Sequence, residues 1–322
     1  MFEWQLTFAH PLQSLQGIVK ACGDSDHIFH VHGSFGDVYL QIAVIKETLS
    51  SAESTAVIID KRYAQLANNS IGQQAKIILA DGNQVNHLLS QLKILGHNKG
   101  IPTRLLPTLY PMIAECMSSG HLPMVDFLRV AAGSESIGAL PAIETNSYSL
   151  QESKQLLEQA GLPIGKTAII CADNNTEIEF EDEFWIKVIE WITDRGWVAC
   201  LNSAGTLNSD KPRRLVSMGL PNLNIPPHLP VSIATVAGTY FAGNNGFATI
   251  QALFNHNTIG FHLVRGDLNN NGFITAKDGK RSRASFHSRS FSSQFLFMQK
   301  EIEIHAINNL NELNTEINSV LV

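Results

Sequence analysis

The sequence predicts an α/β protein made of two doubly wound domains facing each other across a cleft, and three observations carry that expectation. Short apolar, β-branched runs alternate along the chain with segments whose apolar residues recur at helical spacing. At 322 residues the chain is longer than one core comfortably fills, so two domains are expected. The alternation also stops and restarts once, between Ala132 and Tyr148, where glycine, serine, proline and threonine gather without periodicity. That break sets the expected domains at residues 1–147 and 148–322.

The elements follow in order. A strand from Ile28 to Val31 runs into the turn Gly33, Ser34, Phe35, Gly36, Asp37, and Val38, Ile42, Ile45 and Leu49 then mark a helix. Two further strands, Ala56 to Ile59 and Ile77 to Ala80, each end in an acid, Asp60 and Asp81. Leu88, Leu89, Leu92 and Leu95 carry helical spacing, and Leu105 with Leu106 suits a short strand between Pro102 and Pro107. Met112 to Met117 and Val125 to Val130 read as helices around Gly120. Such a βαβ series implies a parallel sheet with right-handed crossovers.

The second half repeats the pattern. A helix through Leu156, Leu157 and Ala160 is ended by Gly161 and Pro163, and Thr167 to Ala172 is a buried strand. The helix Phe184 to Ile192 buries Trp185, Val188, Ile189 and Ile192 and stops at Gly196; Trp197 to Leu201 is the next strand. After a proline-rich loop come a short helix at Val231 to Val236, a strand at Thr239 to Ala242, a helix from Gly246 to Phe254 and a strand at Thr258 to His262. A helix near Leu310 to Leu321 closes the chain. No internal repeat or low-complexity segment interrupts the series.

Composition narrows the function classes. With 44% hydrophobic and 16% charged residues the chain can bury two cores. A net charge of -6 and a pI near 6.0 argue against a nucleic-acid partner, which calls for a basic excess. The four cysteines, Cys22, Cys116, Cys171 and Cys200, lack the paired spacing of a zinc site or redox dithiol and read as reduced core residues of a cytoplasmic protein. No apolar run is long enough to span a bilayer, and Met1 to Gln5 carries Glu3 and no cation, against a secretory signal. The stripe Leu12, Leu15, Ile18, Val19 is expected to pack on the first domain. Peripheral contact with the inner membrane is the alternative, with Lys20 as its one cation.

Two glycine turns carry the chemistry. In an open parallel sheet the turn Gly33 to Asp37 lies at the carboxyl edge, where ligands bind and a helix start offers free N–H groups. Asp37 is the residue to ask about chemistry; the plain reading is that it caps the helix while Gly36 relieves the turn. The second turn, Gly243, Asn244, Asn245, Gly246, follows Tyr240, Phe241 and Ala242 and opens a helix, a place for phosphate. Asparagine and glycine are also ordinary loop residues. A third loop, Asn202 to Thr206, again follows a strand and contains Gly205.

These features resemble the bacterial heptosyltransferase-type glycosyltransferases, family 9-like, which have the GT-B fold of two Rossmann-like domains. Gly33, Ser34, Phe35, Gly36, Asp37 and Val38 match the family's first-domain turn, and the order of elements from Ala168 to His262 matches its second domain. The resemblance implies an inverting, metal-independent transfer of a sugar from a nucleotide-sugar donor to a glycan, lipopolysaccharide or protein acceptor, with Asp37 as general base. No cofactor is implied beyond the donor, whose nucleotide is ADP, UDP or GDP. Gly33, Ser34, Phe35 and Gly36 would form the acceptor-side loop. The donor would be held by Asn174, Asn175, Thr176, Ser203, Gly205, Asn244, Asn245, Gly246, Phe247 and Thr249.

Five positions depart from the family pattern. Val31 replaces a basic residue, Ala43 a proline, Ile178 the phosphate-binding lysine, Asn244 an aspartate and Thr249 a histidine. The last three lie on the donor side, so a catalytically inactive GT-B-like binding or assembly protein is the alternative reading. A third, a dinucleotide oxidoreductase, lacks the third glycine of the dinucleotide fingerprint.

Two further patterns have plain readings beside the chemical ones. Asp267, Asn269, Asn271 and Asp278 have the spacing of a calcium loop, but only two are carboxylates; a surface turn is the preferred reading. Lys277, Lys280, Arg281 and Arg283 read as a solvated face, or as an offset for the lost phosphate lysine. The acidic run Glu177, Glu179, Glu181, Asp182, Glu183 suits a helix start. His30 and His32 alternate on one face of the first strand, where a role in the sheet is preferred over acceptor or phosphate contact.

Overall fold

The computed structural model describes residues 17, 20–33, 35–49, 54–80, 103–105, 124–136, 140–141, 143, 147–172, 182–202, 215, 218–242, 246, 250, 258–263, 273–275, 281–283 and 301–304, the side chains of 103–105, 124, 127, 131 and 258 onward excepted. The chain falls into two compact units, residues 1–110 with 125–143, and 111–124 with 144–322.

The first unit holds β1 (His27–Val31), α1 (Phe35–Thr48), β2 (Thr55–Asp60), a 3-10 turn (Lys61–Tyr63), α2 (Ala64–Ile71), β3 (Lys76–Ala80), β4 (Thr103–Leu105) and α3 (Met124–Ala132). Its sheet runs β3-β2-β1-β4, every pair parallel, with His27 opposite Thr55, Val31 opposite Ile59 and Ile28 opposite Thr103. Thr55–Asp60 is buried along its whole length, as a strand covered on both faces must be. From Val38 to Ile45 every residue of α1 is buried, so this helix is covered on all sides rather than along one stripe. It begins at Phe35, three residues before the first apolar residue of the helical pattern, and Asp37 therefore lies inside the first turn instead of capping it. The strand expected at Leu105 and Leu106 is shifted to Thr103–Leu105. The helices expected around Leu88 to Leu95 and Met112 to Met117 fall outside the described residues.

The chain passes from β1 outward to β2 and β3, then returns to the other side of β1 as β4. That reversal puts a topological switch at the carboxyl end of β1, where the Gly33 turn begins.

The second unit holds α4 (Ser147–Gln159), β5 (Thr167–Cys171), α5 (Asp182–Asp194), β6 (Val198–Asn202), β7 (Asn222–Leu223), α6 (Pro230–Ala237), β8 (Gly238–Ala242), β9 (Thr258–Leu263), the antiparallel pair β10 (Phe273–Thr275) and β11 (Arg281–Arg283), and β12 (Glu301–Ile304). The main sheet runs β12-β9-β8-β5-β6-β7, all parallel, with its switch between β5 and β8. Both units are thus parallel α/β sheets of the doubly wound kind.

Alternation assigns the faces of this sheet. Ala168 and Ile170 of β5, Ala199 and Leu201 of β6 and Phe241 of β8 pack with Phe184, Trp185, Val188 and Trp191 of α5 in one buried cluster. The intervening residues, including Cys171, Cys200 and Tyr240, point to the opposite face. The expected α5, β6, α6, β8 and β9 are present within one to two residues at each end. Gly246 and Ile250 are helical; the rest of the helix expected there, and the closing helix, lie outside the described residues.

Candidate active site

The site is built where β1 gives way to α1. Gly33 has φ +124°, in the left-handed region that a side chain resists, so the turn depends on glycine here. Ser34 is outside the described residues. Phe35 and Gly36 open the helix, and the half-buried Asp37 sits in its first turn, where a carboxylate is favoured by the partial positive charge of the helix start.

One buried side chain closes this turn. Gln41 Nε2 donates to the carbonyl of His32 at 2.7 Å and to that of Asp37 at 3.0 Å, while Gln41 Oε1 accepts from the His32 N–H at 3.3 Å. Gln41 is 0% exposed. The end of β1 and the first turn of α1 are therefore joined by a single amide.

The neighbouring strand supplies the next layer. Asp60, the last residue of β2, accepts from the Arg62 N–H at 2.8 Å and from its Nε at 3.0 Å, and pairs with Nη2 at 2.9 Å. Burial raises the Asp60 pKa, but the Arg62 hydrogen bonds and charge outweigh it and hold the carboxyl below its usual value. The Arg62 side chain is 66% exposed, with its guanidinium 5.4 Å from the centre of the Tyr63 ring. Phe35 meets Tyr39 edge-on at 5.2 Å and stacks with Tyr63 at 6.1 Å, so the two strand ends share an aromatic contact. Burial raises the Tyr63 hydroxyl's pKa; Arg62 opposes the shift, and the Asp60 and Asp37 charges add to it. Asp37 thus lies close enough to Tyr63 to act on its charge.

His30 and His32 stack at 5.2 Å with their rings 21° apart, in keeping with their shared face on the strand. His30 is 0% exposed, and neither ring nitrogen has a hydrogen-bond partner. Burial, and secondly the charge of His32, push its pKa down to about 3; burial also lowers that of His32. Both rings are neutral at pH 7.

In the second unit the strand ends next to the switch are tied by a buried polar pair. Asn202 Nδ2, on the last residue of β6, donates to Tyr240 Oη of β8 at 3.0 Å, with β5 lying between the two strands. Tyr240 is fully buried, and its pKa is raised well above the usual value by burial first and by Cys171 second, against the Asn202 bond. Cys171 and Cys200 are buried thiols outside any disulfide, and burial pushes Cys200 up to about 12.

Of the residues singled out from sequence, the structure brings Gly33, Phe35, Gly36 and Asp37 together at the switch of the first sheet. Gly246 is half-buried and helical, after the end of β8. Asn174, Asn175, Thr176, Ile178, Ser203, Gly205, Asn244, Asn245, Phe247 and Thr249 lie outside the described residues, as do Asp267, Asn269, Asn271 and Asp278. The strands that precede the donor loops, β5 and β8, are nonetheless neighbours, with Cys171 opposite Ala242. Among the described residues no group of histidine, cysteine and carboxylate side chains could hold a metal, and no helix is long and apolar enough to cross a membrane. Gln41, Arg62, Tyr63 and the Asn202–Tyr240 bond were not foreseen. Only Gln41 left a signal, as the one polar residue between Val38 and Ile45 apart from the Tyr39 hydroxyl.

No family model and no curated protein matches the chain. Solved structures do. A glycosyl transferase family 9 structure from Veillonella parvula superposes with a TM-score of 0.57 at 10% identity, over 92% of this chain and 89% of that one. The ADP-heptose LPS heptosyltransferase II of E. coli gives 0.55 at 12% identity, over 92% and 100%. E. coli heptosyltransferase WaaC with ADP gives 0.53 at 9% identity, over 91% and 99%. The chain shares the GT-B heptosyltransferase fold, with its two parallel α/β sheets.

Proposed function

We propose that this protein is an inverting glycosyltransferase that uses a nucleotide-sugar donor, with Asp37 as general base. The observation that carries the reading is a carboxylate held in the first turn of α1, at the switch point of a parallel sheet, by a turn closed through Gln41. Asp37 takes the proton of the acceptor hydroxyl as that oxygen bonds to the anomeric carbon. The bond from this carbon to the diphosphate breaks with it, and the nucleoside diphosphate leaves with the electron pair. Backbone N–H groups at a helix start stabilise the departing charge. The donor loops are the stretches after β5, β6 and β8, and the acceptor is a glycan, lipopolysaccharide or protein. The fold neighbour solved with ADP supports a nucleoside diphosphate as the common part of the donor. Chelator-resistant turnover is expected, as the resemblance implies.

One observation favours a second reading, an inactive binding protein: isoleucine, asparagine and threonine stand at positions 178, 244 and 249, where the family has lysine, aspartate and histidine. A thermal-shift screen with ADP, UDP, GDP, CMP and NAD, followed by assays of their sugar donors, separates the two. A nucleotide at about 100 times its Kd stabilises by roughly 2.7 kcal/mol, a shift of a few degrees. Asp37→Asn is expected to keep that shift and lose about 10²–10⁴-fold in turnover. A nucleotide shift without turnover by the wild type selects the binding protein. No shift with any nucleotide overturns the transferase.

A further inference from the structure

We infer that Gln41 is a positioning residue for the reaction, setting the direction of Asp37 by clamping the turn that carries it. The inference rests on the assignment of Asp37 as base and adds a residue that touches no substrate.

The geometry is specific to an amide. The Gln41 side chain has two N–H donors and one carbonyl acceptor. One donor goes to the His32 carbonyl at 2.7 Å, the other to the Asp37 carbonyl at 3.0 Å, and the acceptor takes the His32 N–H at 3.3 Å. No other side chain of this size supplies two donors and an acceptor in one plane. Glutamate has no donor when ionised, and methionine, which has the right length, has no donor and only a weakly accepting sulfur.

The position of these bonds also argues for more than a staple. Gln41 lies one helical turn after Asp37, so its bond to the Asp37 carbonyl runs beside the helix ladder, while its two bonds to His32 reach back across the turn. The groups it holds are the last residue before Gly33 and the residue that bears the base. Gly33, at φ +124°, and Gly36 give the turn a backbone freedom that residues with a Cβ lack. A clamp spanning two glycines removes that freedom at the one place where it would misdirect a carboxylate. Gln41 is 0% exposed, so bulk water does not compete at the amide itself. A base must sit within hydrogen-bond reach of the proton it takes, and a misplacement of about 1 Å costs on the order of 10²-fold in rate.

The test compares wild type, Gln41→Met and Gln41→Glu in the full chain. Turnover is read as nucleotide release from ADP-, UDP- and GDP-sugars, and nucleotide affinity and folded fraction are measured on the same samples. The expected result is a fall in kcat per folded molecule of about 10²-fold for Gln41→Met, with nucleotide Kd unchanged. Gln41→Glu, kept protonated by its burial beside two carbonyl oxygens, retains one donor and the acceptor for the His32 N–H and is expected to fall between the two. A role confined to stability would lower the melting temperature and leave kcat per folded molecule at the wild-type value, and that result overturns the inference. If Gln41→Met does not fold, Gln41→Glu decides on the same readout. A wild-type chain that binds a nucleotide but turns over none of its sugars overturns the base assignment and the inference together; an active wild type with an equally active Gln41→Met overturns the inference alone.

Discussion

Glu47, in the last turn of α1, and Arg129, in α3, form a two-pronged ion pair across 82 residues of sequence: Nε to Oε2 at 2.9 Å and Nη2 to Oε1 at 2.6 Å. Both side chains are almost fully buried, at 6% and 4% exposure. Ser134 donates to Glu47 Oε2 at 3.2 Å, and Asp126 lies 3.5 Å from Nη1. The hydrogen bonds to Glu47 raise the Arg129 pKa above its already high value, so the guanidinium stays charged throughout the neutral range.

Removing one partner strips the other buried charge of its two-pronged bond. Arg129→Met or Glu47→Leu is therefore expected to destabilise the first unit by about 3–5 kcal/mol. Changing both together removes the unpaired charge and is expected to restore most of that loss, because an apolar pair of similar volume has no desolvation cost to offset. Urea titrations of the three variants check this. Additive losses in the double variant would show that the pair is not the unit of stability.

Gly238 opens β8 at φ +123°, and a Cβ built there would come within 2.8 Å of Trp197 Cζ3 and 3.0 Å of the Gly165 carbonyl group. Lys166 Nζ lies 4.9 Å from the centre of the Trp197 ring, a cation–π contact with the same indole. Gly238→Ala is expected to cost about 2 kcal/mol or more, from strained backbone and overpacking together. A thermal melt reads the loss. Gly196, also at positive φ but with nothing within 4 Å of its Cβ, gives a control in which backbone strain acts alone.

What the sequence reveals of this fold depends on whether a signal is local. Thr55–Asp60 is legible because a strand buried on both faces must be apolar along its length, and the acid at its end breaks the run. Ala64–Ile71 is not, since Asn68, Asn69 and Ser70 dilute the helical pattern and only Leu66, Ala67 and Ile71 give apolar burial. The two-residue period puts His30 and His32 on one face, but their burial depends on what the sheet packs against. The turn at Gly33 is marked by its glycines, whereas Gln41 bonds to backbone groups, which leave no trace in residue identity. Asn202 and Tyr240 meet across an intervening strand, 38 residues apart, and only the strand order joins them.

His30 makes the stability of the first unit depend on pH. Its folded-state pKa of about 3 lies far below the ordinary value of 6.5, because a fully buried ring stacked on His32 cannot take up a proton without losing water it cannot replace. Between these values the unfolded chain binds a proton that the folded chain refuses. Stability is therefore complete above pH 6.5 and is lost progressively as the pH falls toward 3, with His32 adding in the same direction. Asp60, held below its ordinary 3.8, contributes its own loss only at more acid pH, where its carboxylate and the Arg62 pairing are removed. From pH 6.5, where the unfolded ring is already half protonated, to pH 5 the His30 contribution alone is about 1.6 kcal/mol, the slope approaching roughly 1.36 kcal/mol per pH unit at the acid end. Denaturant midpoints measured at the two pH values should differ accordingly in the wild type. The difference should narrow in His30→Leu, which keeps the buried volume close and removes one proton site, leaving the part that His32 contributes; an unchanged difference in that variant would assign the acid sensitivity to another group.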